Sequence, residues 1–277
     1  MDVEMTPTEI HPRVHVLLAG DAPLGVVIRR GPSKRVCTLL WDRTTDEFQL
    51  GQWLHGRIYE RRSDLSRDGK HLIYFAMNGD WNGEAKGSWT AISRAPYLKA
   101  VTLLAKGDCW HGGGLFTGKG YWLNDGSGHT PFRDSRELRR DLKLRPSTYY
   151  GGECTGVYYP RLQRDGWTLI RHETLARRKA QTVFEKPAPG GWTLRKIAHE
   201  EAGSPPGKGC YWDEHQLDGP NGTLARPEWE WAEVDGDRLV WVAGGKLFAG
   251  RVGAHGIDEV ELHDFNGMKF QPIEAPY

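Results

Sequence analysis

No stretch of this 277-residue chain approaches the 18 consecutive apolar residues that a membrane-crossing helix requires. The first ten residues hold three acidic side chains and no apolar run of signal-peptide length, so a cytoplasmic protein without membrane contact is expected. Charge of one sign is also missing: 37 basic residues face 36 acidic ones, which leaves no global field for nucleic acid and makes that partner disfavoured. Cysteine is scarce. Cys37, Cys109, Cys154 and Cys210 lie 72, 45 and 56 residues apart, which is neither a zinc-ligand spacing nor a disulfide framework, and mostly buried, reduced thiols are expected. Helical periodicity is sparse as well.

What is present in excess is glycine, at 35 residues, and tryptophan, at 12, the residues of tight turns and of the flat space between packed sheets. Short segments rich in Val, Ile, Trp, Tyr and Phe are bounded by Gly or Asp-Gly, the pattern of antiparallel strands. Leu24 to Ile28, Leu72 to Ala76, Tyr121 to Leu123, Val157 to Tyr159, Trp167 to Ile170, Trp192 to Ile197 and Leu239 to Val242 read this way, and the chain is expected to be all-β. One short surface helix is predicted near 134–144, where Asp134 and Glu137 have capping-box spacing and Leu138 and Leu142 fall on one face.

Self-similarity points to the architecture. Asp68-Gly69-Lys70-His71-Leu72-Ile73-Tyr74-Phe75-Ala76 aligns with Asp235-Gly236-Asp237-Arg238-Leu239-Val240-Trp241-Val242-Ala243, each a turn feeding an apolar strand. Weaker copies place turn starts at 21, 68, 118 and 165, and the same interval predicts a fifth near Asp218-Gly219. A second series, Gly51-Gln52-Trp53-Leu54-His55-Gly56, Gly107-Asp108-Cys109-Trp110-His111-Gly112, Gly151-Gly152-Glu153-Cys154-Thr155-Gly156 and Gly207-Lys208-Gly209-Cys210-Tyr211-Trp212, starts at intervals of 56, 44 and 56. A period near 50 predicts a β-propeller of five blades spanning 1–277, with six blades or a β-sandwich with long loops as alternatives. Ser66-Arg67-Asp68-Gly69-Lys70-His71-Leu72-Ile73-Tyr74 also resembles the Ser-x-Asp-Gly-Lys-x-Leu-x-aromatic signature of TolB-like and WD-like propellers, and the resemblance implies that superfamily without an activity. Such a ring is expected to close by pairing Val14 to Ala19 with the C-terminal strands Lys246 to Val252 and Ile257 to His263.

Familiar catalytic motifs are incomplete. Gly113 to Gly120 mimics a phosphate-binding loop, but position 120 is glycine where a hydroxyl is needed, and a strand follows in place of a helix. His111-Gly112-Gly113-Gly114 mimics the oxyanion loop of lipases, yet no Gly-x-Ser-x-Gly elbow accompanies it. The histidine-carboxylate neighbours at His172, His199, Asp213 to His215 and His263 lack the paired histidines of a zinc helix, so no metal and no cofactor are expected.

Repeated segments of a ring converge in space, and the second series therefore nominates the site. Trp53, His55, Trp110, His111 and Trp212 are the candidate ligand-binding residues. The leading expectation is a non-catalytic binding propeller that holds a protein or a small ligand at its loop face or channel mouth, with exposed basic groups such as Arg61-Arg62 and Arg177-Arg178-Lys179 on offer. The alternative is a carboxylate-dependent hydrolase such as a glycosidase, with Asp108, Glu153 and Asp213 as acid and base or nucleophile.

Overall fold

The computed structural model describes residues 10–118, 120–146, 153–205, 207–220, 222–253 and 256–277. Lys119, Gly151, Gly152, Asn221, Ala254 and His255, which belong to motifs and turns read from the sequence, lie outside the described residues. Among the described residues five separate sheets form, and none closes on itself. The first is a meander of β1 (Arg13–Leu18), β2 (Leu24–Arg30), β3 (Arg35–Asp42) and β4 (Glu47–His55). The second holds β5 (Arg57–Ile58), β6 (Asp64–Leu65), β7 (His71–Met77), β8 (Ser88–Arg94) and β9 (Ala100–Ala105). β10 (Gly114–Thr117) and β11 (Gly120–Leu123) begin the third; β12 (Thr130–Arg133) returns to β9, and β13 (Arg139–Arg140) runs parallel to β11. After the helix α1 (Cys154–Arg164), the fourth sheet is β14 (Thr168–Ala176), β15 (Lys179–Ala188), β16 (Trp192–Glu201), β17 (Tyr211–Gly219) and β18 (Gly222–Arg226). The fifth is β19 (Trp231–Asp235), β20 (Arg238–Ala243), β21 (Lys246–Gly253) and β22 (Gly256–Asp264). No helix among the described residues is long and apolar enough to cross a membrane.

Side chains alternate across a strand, so a strand buried on both faces serves two cores at once. Val27 on β2 packs with Trp231 and Val240 of the fifth sheet, while its neighbours Val26 and Ile28 pack with Leu72 and Tyr74 of the second. On β7, Leu72 and Tyr74 face the first sheet and Ile73 faces the third, with Phe116 and Tyr121. On β20, Val240 and Val242 face the first sheet, and Leu239 and Trp241 face the fourth. The sheets therefore stack face to face in the order third, second, first, fifth, fourth. The Asp68-Gly69 turn that opens β7 is built as its sequence implies. Ser66 Oγ donates to Asp68 Oδ1 at 2.6 Å, the His71 amide donates back to Ser66 Oγ at 2.8 Å, and Gly69, at φ +74°, has no room for a Cβ beside Leu24.

Two local expectations are corrected. Val157 to Tyr159 is no strand but the middle of α1: Cys154, Val157, Tyr158, Arg161 and Leu162 recur at helical spacing, and all are buried. The burial of Tyr158, Tyr159 and Leu162 against the fourth and fifth sheets outweighs the cost of Pro160 inside the helix. Conversely, 134–144 forms no helix. Glu137, needed for the capping box, is drawn to Arg94 at 2.6 Å, Asp141 caps a turn through the amides of Lys143 and Leu144, and Leu142 stays exposed.

The terminal strands fall where expected, but the ladder between them does not form. β1 pairs only with β2 and β22 only with β21, and the ends meet through side chains, Val14 and Val16 against Val240, Leu247 and Phe265. The residues after β22 make further contacts with the first sheet. The buried guanidinium of Arg29 donates to the Phe265 carbonyl at 3.2 Å, Gln52 on β4 donates to the Ile273 carbonyl at 2.8 Å, and Phe270 meets the Trp53 ring. The chain then reaches the second sheet. There the Tyr277 hydroxyl accepts from the Arg94 amide at 3.0 Å and donates to the Lys99 carbonyl at 2.7 Å, with Arg94 over its ring. This strap ties the fifth, first and second sheets from outside. Tyr277→Ala is expected to cost about 1–2 kcal/mol through these contacts; a urea midpoint equal to that of the wild type would show that the strap does not stabilise the stack.

Candidate functional site

A single 3-10 turn, Glu60–Arg62, joins β5 to β6 and aims two guanidiniums into the interior. Arg62 is 2% exposed and acts as a hub. It donates to Cys154 Sγ at 3.3 Å, to the carbonyls of Cys109 (2.8 Å) and His111, and to Glu153 at 3.1 Å, while lying over the rings of Tyr59 and Phe75. It thereby holds the β9–β10 loop against the start of α1. Arg61 reaches Asp213 on β17 at 3.1 Å and lies over Tyr158.

Around Asp213 the interior is polar and buried. The Tyr158 hydroxyl donates to Asp213 Oδ2 at 2.6 Å, and Lys196 Nζ stands 3.9 Å away. His215 Nδ1 lies 2.9 Å from the Trp229 carbonyl, which can only accept, so that nitrogen carries the proton and Nε2 accepts from Lys196 at 2.8 Å. Burial and the neighbouring Lys196 push His215 down to about 3, and burial brings Lys196 down to about 8. Burial opposes the charge on Asp213, but Arg61, Lys196 and the Tyr158 hydrogen bond outweigh it and hold the carboxyl below its usual range. Arg161, buried on α1, donates to the Glu60 carbonyl at 3.2 Å and to His15 Nε2 at 3.0 Å and makes no ion pair among the described residues.

Two adjoining cavities open from this cluster. One, of about 440 Å³, is bounded by His15, Arg61, Trp212, Asp213 and Trp229. The other, of about 310 Å³, is bounded by Tyr59, Arg62, Cys109, Trp110, Glu153, Cys154, Cys210 and Tyr211. Arg13, Arg30, Glu60, Arg61, Lys208 and Tyr211 line both. Around the smaller cavity stand six cations, Arg13, Arg30, Arg57, Arg61, Arg62 and Lys208, against two carboxylates, Glu60 and Glu153. Arg30 pairs with Glu60 at 3.4 Å, Arg62 with Glu153, and Arg61 with Asp213 from the adjoining cavity. Burial opposes the charge on Glu60, yet Arg30 and Arg57 outweigh it and lower its pKa. Arg13, Arg57 and Lys208 make no ion pair among the described residues. Arg13 donates to the Gly207 and Lys208 carbonyls, its pKa pulled down by burial and by Arg30, and Arg57 lies over the Tyr59 ring.

Of the residues nominated from sequence, Trp110 and Glu153 line the smaller cavity, and Trp212, stacked on His199, and Asp213 line the larger. Trp53 is instead part of the outer strap under Arg29 and Phe270, and His55 is exposed at the end of β4. His111 contributes its carbonyl to Arg62 and packs its ring where a Cβ on Gly126 would sit. Asp108 bounds neither cavity. It accepts from Lys106 at 2.9 Å and from the Trp110 amide; burial resists its charge, but these bonds lower its pKa. Asp108 and Asp213 are thus both held as carboxylates. Arg61 and Arg62, expected on the surface, point inward. The thiols divide evenly, Cys37 and Cys154 buried, Cys109 and Cys210 exposed. The cationic residues Arg13, Arg30 and Arg57 escaped the sequence reading, because nothing in their spacing marks them as neighbours, and Lys208, although it lies in the repeated segment Gly207 to Trp212, was not nominated. Among the described residues no group of three His, Cys, Asp or Glu side chains is placed to hold a metal ion.

The buried histidine sets a pH dependence. With His215 at about 3 in the folded chain and 6.5 as its ordinary value, the unfolded chain binds the extra proton between those limits, so stability falls as pH drops from 6.5 toward 3. His215→Asn is expected to flatten that acid limb of Tm against pH; equal slopes in variant and wild type would sink the assignment. A scan of the chain against protein-family models matches none of them, and a search of curated proteins finds no match.

Proposed function

We propose that the five sheets are the blades of a five-bladed propeller and that the chain is a non-catalytic binding protein for a small anionic ligand, held in the arginine-lined cavity. In support of the ring, β1 lies beside both β6 and β19, β6 beside β10, and α1 packs on both β10 and the fourth sheet, filling the sector where the stack would otherwise stay open. Rigid rings of this kind present loops around an axis and suit recognition.

The observation that carries the ligand class is the excess of six cations over two carboxylates around one cavity, in a chain whose total charge is +1. Positive charge concentrated in a concave, low-dielectric wall attracts an anion and orients it. Arginine forks give paired hydrogen bonds to carboxylate or phosphate oxygens, and Tyr59, Tyr211 and Trp110 offer apolar surface to the rest of the ligand. About 310 Å³ suits a small molecule. Inorganic pyrophosphate and citrate are suitable probes. Calorimetry at low salt is expected to show saturable binding of at least one of them, weakened by added salt, and about tenfold weaker in Arg57→Gln/Lys208→Gln, since a hydrogen bond to a charged group contributes about 1.5 kcal/mol or more. No saturable heat with either anion, or an unchanged affinity in the variant, would refute the reading.

A further inference from the structure

Three of the four cysteines line this one cavity although they come from three distant parts of the chain: Cys109 from the β9–β10 loop, Cys154 from the start of α1 and Cys210 from the β16–β17 loop. Their states differ. Cys154 is 4% exposed, and its sulfur takes the Arg62 Nε hydrogen bond, so it is a packed, structural thiol. Cys109 and Cys210 are exposed and free, and no hydrogen bond or ion pair occupies either sulfur among the described residues. Two accessible thiols therefore face one small cavity whose wall is strongly positive.

We propose that this cavity is a thiol–disulfide exchange site whose substrate is an anionic low-molecular-weight disulfide, with Cys109 and Cys210 as the exchanging pair. The recruitment of the substrate rests on the anion-binding reading; the chemistry rests on the two thiols alone. The thiolate of one cysteine attacks a sulfur of the bound disulfide. A new S–S bond forms to the protein, the old one breaks, and the departing thiolate leaves with the electron pair and takes up a proton. The second cysteine, as thiolate, then attacks the protein sulfur of this mixed disulfide and expels the other half of the substrate as a second thiol. The protein is oxidised by two electrons, the substrate disulfide is reduced to two thiols, and the two protons lost by the cysteines end on those thiols, so no other co-reactant is needed. The resulting bond requires the two Cα atoms to come within about 7 Å. It would draw the two loops together across the mouth and exclude an anion from the cavity.

The test uses the full chain, reduced and then exposed to oxidised glutathione, with acid quench, alkylation and peptide mapping by mass spectrometry. The expected product is a Cys109–Cys210 linked peptide, with Cys37 and Cys154 alkylated only after unfolding. Cys210→Ser is expected to stop at one glutathione on Cys109, and Cys109→Ser at one on Cys210. The same exchange with the neutral hydroxyethyl disulfide should be insensitive to Arg57→Gln/Lys208→Gln, whereas that variant should slow oxidised glutathione roughly tenfold, the size of an electrostatic recruitment effect. Persistent full alkylation of both thiols, linkage through Cys37 or Cys154, or equal slowing of the charged and neutral disulfides would overturn the proposal. Anion binding measured separately in Cys109→Ser/Cys210→Ser keeps the two readings apart. A thiol-free variant that binds pyrophosphate or citrate while the wild type fails to exchange defeats only the exchange, and exchange without anion binding defeats only the ligand class.

Discussion

Strands buried on both faces are the constraint from which the rest of the molecule follows. A strand such as β2, with Val26, Val27 and Ile28 all essentially inaccessible, cannot sit at a surface, so a sheet must lie on each side of it. The same holds for β7 and β20. Once three successive sheets each demand two covers, a face-to-face stack is the arrangement that satisfies them. The outermost members of that stack, the third and fourth sheets, are left to find another partner. The helix α1 packs on both, which explains why the one α-helix among the described residues lies in the interior rather than on the surface.

Packing the sheets face to face has an electrostatic cost. The turn between β5 and β6, α1 and β16 bring Arg61, Arg62, Arg161 and Lys196 into a buried region, and Asp213 is the carboxylate nearest Arg61 and Lys196. Burying unpaired charge is costly, and the chain offsets it with carbonyls, with two histidines that present an acceptor nitrogen, His15 and His215, and with aromatic faces under the guanidiniums. Burial is the main cause of the lowered pKa values of His15, His215 and Lys196, and the neighbouring cations Arg161 at His15 and Lys196 at His215 add to it. Toward the cavity mouths Arg13, Arg57 and Lys208 add further positive charge, and this local excess is what the proposed anion site rests on.

Much of the strand pattern was legible beforehand. Alternating or continuous apolar runs after turns rich in Gly or Asp marked β2, β7, β11, β16 and β20, because burial and turn chemistry act within a few residues. The errors came where local signals competed with distant partners. Gly156 and Pro160 masked the helical spacing of α1, whose stability derives from sheets far along the chain, and the capping-box spacing at Asp134 and Glu137 lost to Arg94 and to Asp141. The expected end-to-end ladder likewise gave way to the strap of Phe265 to Tyr277, which has no periodicity to announce it.

For the site, the glycine-rich repeats did carry information: segments around Cys109, Glu153 and Cys210 were read as equivalent, and all three border one cavity. What the amino-acid order determined by itself was the secondary structure and the recurrence of those segments, since both are written in spacings of two, four and about fifty residues. What only the tertiary structure decided was which charges meet. Arg13 and Arg57 lie outside the repeat that contains Lys208, and the three become neighbours because packed sheets bring β1, β5 and the β16–β17 loop to one opening, where Coulomb interactions act through space and ignore the distance along the chain.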